Sequence, residues 1–236
     1  MIKAVLFDLD DTIIDHQHSF RSGLKHVRDT AGALGALSLD ELCTVYQSLS
    51  EQFHPYVLSG VYTVQVARHE RFKALFSYVG HQATDNEIQA TIARYQTVYA
   101  QEERLIPGVA DVLSIIRTLG IPIGLVTNNS VAEQRAKIAR HQLEPLLDVI
   151  IISEEVGVAK PDPRAFDSAL RRLGCSAPGA VMVGDSWDND MMGAVAIGMK
   201  AVWLNRYNTS RPRHEMVREI QTYMPLSKTK NTLLNW

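Results

Sequence analysis

A chain of 236 residues with a formal net charge of −2 and no basic stripe gives no reason to expect nucleic-acid binding. No apolar stretch approaches the roughly 20 residues of a membrane span, and the N-terminus enters a strand pattern directly, without the three regions of a secretory leader. The two cysteines, Cys43 and Cys175, fit no metal spacing and read as reduced, buried thiols. The expectation is a cytoplasmic protein built as one large domain or as a core with an insertion.

The first element is Ala4–Phe7, a short apolar run that reads as a buried strand and ends in Asp8-Leu9-Asp10. Residues two apart on a strand share a face, so both acids are expected to point into one site. Two carboxylates about 5 Å apart repel by roughly 3 kcal/mol at an effective dielectric of 20. Such a pair calls for a cation, a shared proton or a reaction, although an Asp-rich turn with Asp11 is the plainer alternative.

Residues 15–103 carry no convincing buried strand. Phe20, Leu24, Val27 and Ala31 repeat at helical spacing, as do Leu42, Val45, Tyr46, Leu49 and Phe53, then Phe72, Leu75, Phe76 and Val79, then Ile88, Ile92, Tyr95 and Tyr99 behind the capping box Thr84/Glu87. This exceeds any crossover helix, so 15–103 is expected to be a helical subdomain inserted between core segments 1–14 and 104–236. Its connections lie beside the paired acids, where a lid belongs.

From residue 104 the pattern alternates. Val109, Val112, Leu113 and Ile116 predict a helix closed by Gly120 and Pro122. Ile123–Thr127 reads as a strand, followed by the capping signature Ser130/Glu133. Val149–Ile152, Ala180–Val183 and Ala201–Leu204 are further strands, with a helix from Asp162-Pro163 to Gly174 between the first two. Runs that are apolar throughout predict a parallel sheet covered on both faces, so the fold class is α/β, a doubly wound sheet with an inserted helical cap. Ser227–Trp236 reads as a loosely held tail.

Three more polar groups fall at predicted strand ends. Thr127-Asn128-Asn129 serves either as turn chemistry or as donors for an anionic oxygen. Lys160, in Gly157-Val158-Ala159-Lys160-Pro161, is either a surface charge or a point charge facing the acids. Asp185 ends the run Val181-Met182-Val183-Gly184, whereas Asp188 and Asp190 also suit the first turn of a helix.

Taken in order, Asp8/Asp10, Thr127, Lys160 and Asp185/Asp190 resemble the four signature motifs of the haloacid-dehalogenase-like hydrolase superfamily, in its type with an α-helical cap. The stretch Val149–Pro161, the segment Gly60–Phe72 with Arg71-Phe72, and Trp203-Leu204-Asn205 further resemble bacterial pyrimidine-preferring nucleoside 5′-monophosphatases. The resemblance implies a Mg²⁺-dependent phosphomonoester hydrolase acting through an aspartyl-phosphate. It implies Asp8 as nucleophile and Asp10 as proton shuttle, protonated when substrate binds. The Asp8 carboxylate, the Asp10 carbonyl and the Asp185 carboxylate would be metal ligands. Thr127, Asn128 and Lys160 would hold the phosphoryl oxygens, with Asp190 orienting ligand water or Lys160 from behind.

A nucleoside monophosphate is the first expectation for the substrate. Sugar-phosphate, phosphoglycolate and acylneuraminate-phosphate phosphatases are the alternatives. The expected partner is thus a small phosphate ester, with neither nucleic acid nor membrane, for a monomer or homodimer. A metal-independent 2-haloacid dehalogenase is disfavoured because Asp10 and Asp185 are both present, and a non-catalytic phosphate binder because no acid of the set is lost. A phosphomutase has no feature demanding it. A dinucleotide-binding oxidoreductase is disfavoured because the first strand ends in acids rather than a glycine-rich turn. His16, His18, Phe20, Tyr56, Tyr62 and Arg71 are candidate contacts of the insert with substrate, while Phe53 reads as core.

Overall fold

The computed structural model describes residues 1–58 and 60–236. Six parallel strands, β1 (Ala4–Phe7), β2 (Ile123–Thr127), β3 (Val149–Ile152), β4 (Ala180–Gly184), β5 (Lys200–Leu204) and β6 (Val217–Ile220), form one sheet in the order β3-β2-β1-β4-β5-β6. The order reverses between β1 and β4, and the crevice beyond the carboxyl ends of those two strands is where open α/β sheets place their ligands.

The helices are α1 (His16–Thr30), α2 (Leu39–Leu58), α3 (Val64–Tyr78), α4 (Asp85–Gln101), α5 (Val109–Thr118), α6 (Val131–Arg140), α7 (Ser153–Val156), α8 (Pro163–Arg172), α9 (Gly193–Ala196) and α10 (Leu226–Leu234). The chain divides into one unit made of Met1–Asp15 with Arg104–Trp236, and a second made of His16–Glu103.

The first unit is layered by strand alternation. Val5, Phe7, Val181, Val183 and Val202 face one side and pack with Val112, Leu113 and Ile116 of α5. Ala4, Leu6, Met182, Ala201 and Trp203 face the other and pack with Phe166 and Leu170 of α8. Both faces are therefore dry, as the apolar runs predict.

Two elements depart from expectation. β6 reads Val-Arg-Glu-Ile and buries only Ile220, so it lacks the apolar signature of the inner strands, as an edge strand can. The presumed loose tail is mostly helix α10, which buries Thr229 and Leu233. Trp236 packs on the core and lies 4.0 Å beneath the Arg218 guanidinium. The polar residues of this segment face away while a few apolar ones anchor it.

The second unit has its own core of Phe20, Leu24, Val27, Leu42, Tyr46, Phe72, Leu75, Ile88 and Tyr95. The α4 capping box forms as expected, with Thr84 and Glu87 bonding reciprocally. Phe53 departs from the core reading: it is half-buried and sits in a cluster with Tyr56 and Tyr62. Cys43 is buried but Cys175 only partly so, and both are free.

The two connections to the helical insertion are tied on the core side. The Asp15 backbone N–H donates to the Arg104 carbonyl at 2.9 Å. The buried Asp15 carboxylate accepts from Arg104 Nη2 at 2.8 Å and from Arg206 Nη1 at 2.9 Å. Burial alone raises an acid's pKa, but bonds from Arg206 and then Arg104 outweigh it, and the Asp15 carboxyl is held below its ordinary value. A depressed pKa stabilises the fold above the unfolded carboxylate value, and the contribution is lost as pH falls through the folded value. Asp15→Asn is therefore expected to be less stable than wild type at pH 7 in denaturant titrations. The difference should shrink below about pH 4; a difference constant with pH would contradict the ion-pair role.

Candidate active site

Four connections at the carboxyl end of the sheet bring the strand-end polar residues together. Asp8 follows β1, and its N–H donates to the Val183 carbonyl of β4 at 2.9 Å. Thr127 ends β2. Lys160 lies between α7 and α8, Gly184 ends β4, and Asp190 lies in a π-helical turn, Trp187–Met192. Such turns concentrate at functional sites.

Lys160 is the centre of the arrangement. Its buried ammonium lies 2.5 Å from Asp8 Oδ1 and 2.6 Å from Asp190 Oδ1. The lysine backbone is clamped by the Asn128 side chain, whose Oδ1 accepts from Lys160 N at 2.8 Å and whose Nδ2 donates to Lys160 O at 2.9 Å. The Asn128 amide thus positions Lys160 and leaves only its backbone for an anion. On the opposite side, Asp190 Oδ2 accepts from Ser186 N at 3.0 Å, so both carboxylate oxygens of Asp190 are fixed. Gly184 is required by this packing, because a Cβ there would lie 2.3 Å from Asp190 Oδ2.

Asp8, Asp185 and Asp190 present carboxylate oxygens within 4.8 Å of one another. One ammonium among three carboxylates leaves two excess negative charges, the charge of one divalent cation, and an all-oxygen donor set suits the hard ion Mg²⁺. Burial and the same clustering shift the pKa of Asp8, Asp185 and Lys160. Burial, with Asp190 and Asp10 adding to it, outweighs Lys160 and pushes Asp8 up to about 7. Burial, then Asp8, Asp190 and Asp11, push Asp185 well above the carboxylate range. Burial opposes the charge on Lys160, but Asp190 and Asp8 outweigh it and hold the ammonium above its ordinary value. The residues therefore fit a bound divalent cation.

Asp10 is held by partners that strand alternation alone does not reveal. β1 ends at Phe7, so the alternation of a strand no longer governs residues 8–10. Asp11 then adopts a left-handed φ of 57°. The Asp10 carboxylate bonds Lys137 Nζ at 2.7 Å through Oδ1 and Gln134 Nε2 at 3.0 Å through Oδ2. Asp8 feels burial, Lys160 and Asp190 more strongly than Asp10, whose charge also raises the Asp8 pKa. Asp188 points to the exterior, 3.9 Å from Arg211.

Gln134 and Lys137 went unnoticed in the sequence. They lie three apart on α6, and both are buried. The only signal was their shared face on a helix whose start the Ser130 cap had announced. Gln134 Nε2 also reaches Thr127 Oγ at 2.8 Å and the Asn128 carbonyl at 3.1 Å. Arg206 is a further missed residue, bonding Asp15 and lying 3.7 Å from Asp11.

The candidate contacts of the insert are engaged within the helical unit itself. His16 Nδ1 lies 2.6 Å from the Tyr99 hydroxyl and His18 Nε2 lies 3.2 Å from Glu102. Phe20 is core, and Arg71 donates to the Ala67 carbonyl and the Ser50 hydroxyl. Away from the acids, a surface groove beside α8 is lined by Arg164, Arg171 and Cys175 and includes none of the strand-end carboxylates. Among the described residues no helix is long and apolar enough to cross a membrane.

The family model for haloacid dehalogenase-like hydrolases matches residues 2–198. The chain belongs to that family, and with its aspartate cluster it is a phosphatase of the family. A glyceraldehyde 3-phosphate phosphatase of Methanopyrus kandleri is 32% identical over 222 residues, covering 91% of this chain and 90% of that protein. The pyrimidine 5′-nucleotidase YjjG of Escherichia coli is 38% identical over 108 residues, covering 45% of this chain and 48% of its own. Among solved structures, the HAD-hydrolase YfnB of Bacillus subtilis, solved bound to magnesium, shares the fold with a TM-score of 0.78 and 24% identity, covering 98% of this chain and 99% of its own.

Gly184→Ala is expected to displace Asp190 and loosen Lys160. A misplacement on the order of 1 Å costs about 10²-fold in rate, so phosphatase turnover should fall by about that factor while the protein still melts cooperatively. Unchanged turnover would show that the close approach of Asp190 to Gly184 is not needed.

Proposed function

We propose that this chain hydrolyses the phosphomonoester of a small phosphorylated sugar through an aspartyl-phosphate on Asp8. The observation that carries the chemistry is Lys160 wedged between Asp8 and Asp190. A buried ammonium fixes one oxygen of the nucleophile and presents positive charge to the incoming phosphoryl group, which suits phosphoryl transfer.

In the first step an Asp8 oxygen bonds to phosphorus while the phosphorus–oxygen bond to the sugar breaks. The departing alkoxide takes a proton from Asp10. In the second step a water molecule gives a proton to Asp10 and attacks the phosphorus, the Asp8 oxygen–phosphorus bond breaks, and inorganic phosphate leaves. Asp8 must be ionised to attack, and Lys160 holds that charge. Thr127 Oγ accepts from Gln134, which leaves its own proton, in a long 3.5 Å contact with the Asn128 carbonyl, to donate to a phosphoryl oxygen. The Asn128 backbone N–H and Lys160 are assigned to the remaining oxygens. Asp8, Asp185 and the Asp10 carbonyl are assigned as Mg²⁺ ligands, and the Asp190 carboxylate lies close enough to join or orient them. The bound ion supplies charge neutralisation for the phosphoryl oxygens and for the clustered acids.

The substrate assignment replaces the nucleotide expectation. Its support is extent: likeness to the sugar-phosphate phosphatase runs over nine-tenths of the chain, whereas likeness to the nucleotidase runs over less than half. Ribulose-1,5-bisphosphate 5-phosphatase of Halopiger xanaduensis, 31% identical and covering 86% of this chain and 84% of its own, points the same way. Discrimination is assigned to the helical insertion, because the acid cluster reads a phosphoryl group and not what it is attached to.

Asp8→Asn is expected to reduce turnover by about 10⁴-fold or more with circular dichroism unchanged; near-wild-type phosphate release would end the nucleophile assignment. Exhaustive EDTA treatment should abolish activity and added Mg²⁺ should restore it, whereas full activity in EDTA would remove the metal. With Mg²⁺ present, kcat/KM for glyceraldehyde 3-phosphate should exceed that for UMP or dUMP by about tenfold or more, about 1.4 kcal/mol in transition-state binding. The reverse order would overturn the sugar assignment and leave the phosphatase intact.

A further inference from the structure

We propose that Lys137 and Gln134 are positioning residues for Asp10, and that together they make α6 the support of the proton-transfer half of the site. The proposal rests on the reading of Asp10 as the proton shuttle. The Asp10 carboxylate is only partly exposed, at 24%, and Lys137 is 7% exposed. Lys137 Nζ takes Oδ1 at 2.7 Å and Gln134 Nε2 takes Oδ2 at 3.0 Å.

Lys137 and Gln134 hold the two carboxylate oxygens separately, one each. Held at both oxygens, the carboxylate cannot rotate freely about its terminal torsion, which is otherwise broad. A freely rotating acid would spend part of its time aimed away from the departing oxygen.

Gln134 adds a second coupling. The same Nε2 faces Asp10 Oδ2, Thr127 Oγ at 2.8 Å and the Asn128 carbonyl at 3.1 Å. Three acceptors around one nitrogen fix the orientation of the amide, since the flipped form would set its oxygen against the carboxylate. One buried side chain therefore ties the proton shuttle to the hydroxyl assigned to the phosphoryl group. Lys137 holds Asp10, whereas Gln134 also reaches Thr127, so the two residues should have separable kinetic signatures. Burying a lysine and a glutamine side by side on a short helix costs desolvation that a purely packing role would avoid with apolar residues.

The test is a double-mutant cycle on the Mg²⁺-saturated enzyme, with glyceraldehyde 3-phosphate and p-nitrophenyl phosphate as substrates. Lys137→Met should lower kcat on the alkyl ester by on the order of 10²-fold with KM within about threefold. In the pre-steady-state burst the loss should be much smaller with the aryl ester, whose leaving group needs no proton. In an Asp10→Asn background Lys137→Met should cause no further loss, because residues acting as a unit are not additive. Lys137→Arg, which retains the charge, should recover part of the rate. Gln134→Met should lower kcat and also raise KM, through Thr127.

Thermal melting verifies that each variant is folded, and Lys137→Arg carries the same cycle if Lys137→Met is not. Equal losses in the wild-type and Asp10→Asn backgrounds, or equal losses in the burst with both leaving groups, would overturn the positioning role. An unaltered rate in Asp10→Asn itself would instead remove the shuttle reading on which the proposal stands.

Discussion

The structure depends on how one buried ammonium is shared among several carboxylates. Lys160 touches Asp8 and Asp190 directly, and Asp185 lies within the same cluster. Removing a partner from such a group strands the rest in a low-dielectric surrounding, at a cost of several kcal/mol. The elements around it are correspondingly fixed. Asn128 clamps the lysine backbone, Ser186 holds Asp190, and Gly184 gives Asp190 room to approach. The remaining negative charge is what a divalent cation neutralises, and the burial and crowding of these acids raise the pKa of Asp8 and Asp185.

Sheet order explains why these groups meet. β1 and β4 are neighbours despite lying more than 170 residues apart, and their carboxyl ends deliver Asp8 and Asp185 to the two sides of the switch point. β2 delivers Thr127 beside β1. A helical insertion between β1 and α5 leaves this register untouched, because its two connections are pinned to one another through Asp15 and Arg104. The strand-end groups of the phosphoryl chemistry are thereby built into the sheet.

Much of this was legible in the amino-acid order. The first five strands announce themselves as apolar runs, and the acids stand out because Asp8 and Asp185 each end such a run. The edge strand β6 and helix α10 were not legible, since each buries only one or two residues and alternates with charge. The partners of Asp10 were hidden for a different reason: strand alternation stops at Phe7, and the side chains that hold Asp10 are supplied by α6, more than 120 residues away. Phe53 was misread because a helical apolar stripe does not say where the neighbouring helices end. The nucleotide expectation came from short segments, whereas the likeness to sugar-phosphate phosphatases extends over the chain.

The central claim is that the Lys160-bound carboxylate of Asp8 becomes covalently phosphorylated. Acid quenching during turnover with Mg²⁺ and a sugar phosphate, followed by borohydride reduction and peptide mass spectrometry, tests it directly. The peptide containing Asp8 is expected to carry the reduced product of an acyl phosphate, and this mark should disappear when substrate is omitted. Turnover without any such mark, or with the mark on another carboxylate, would contradict it.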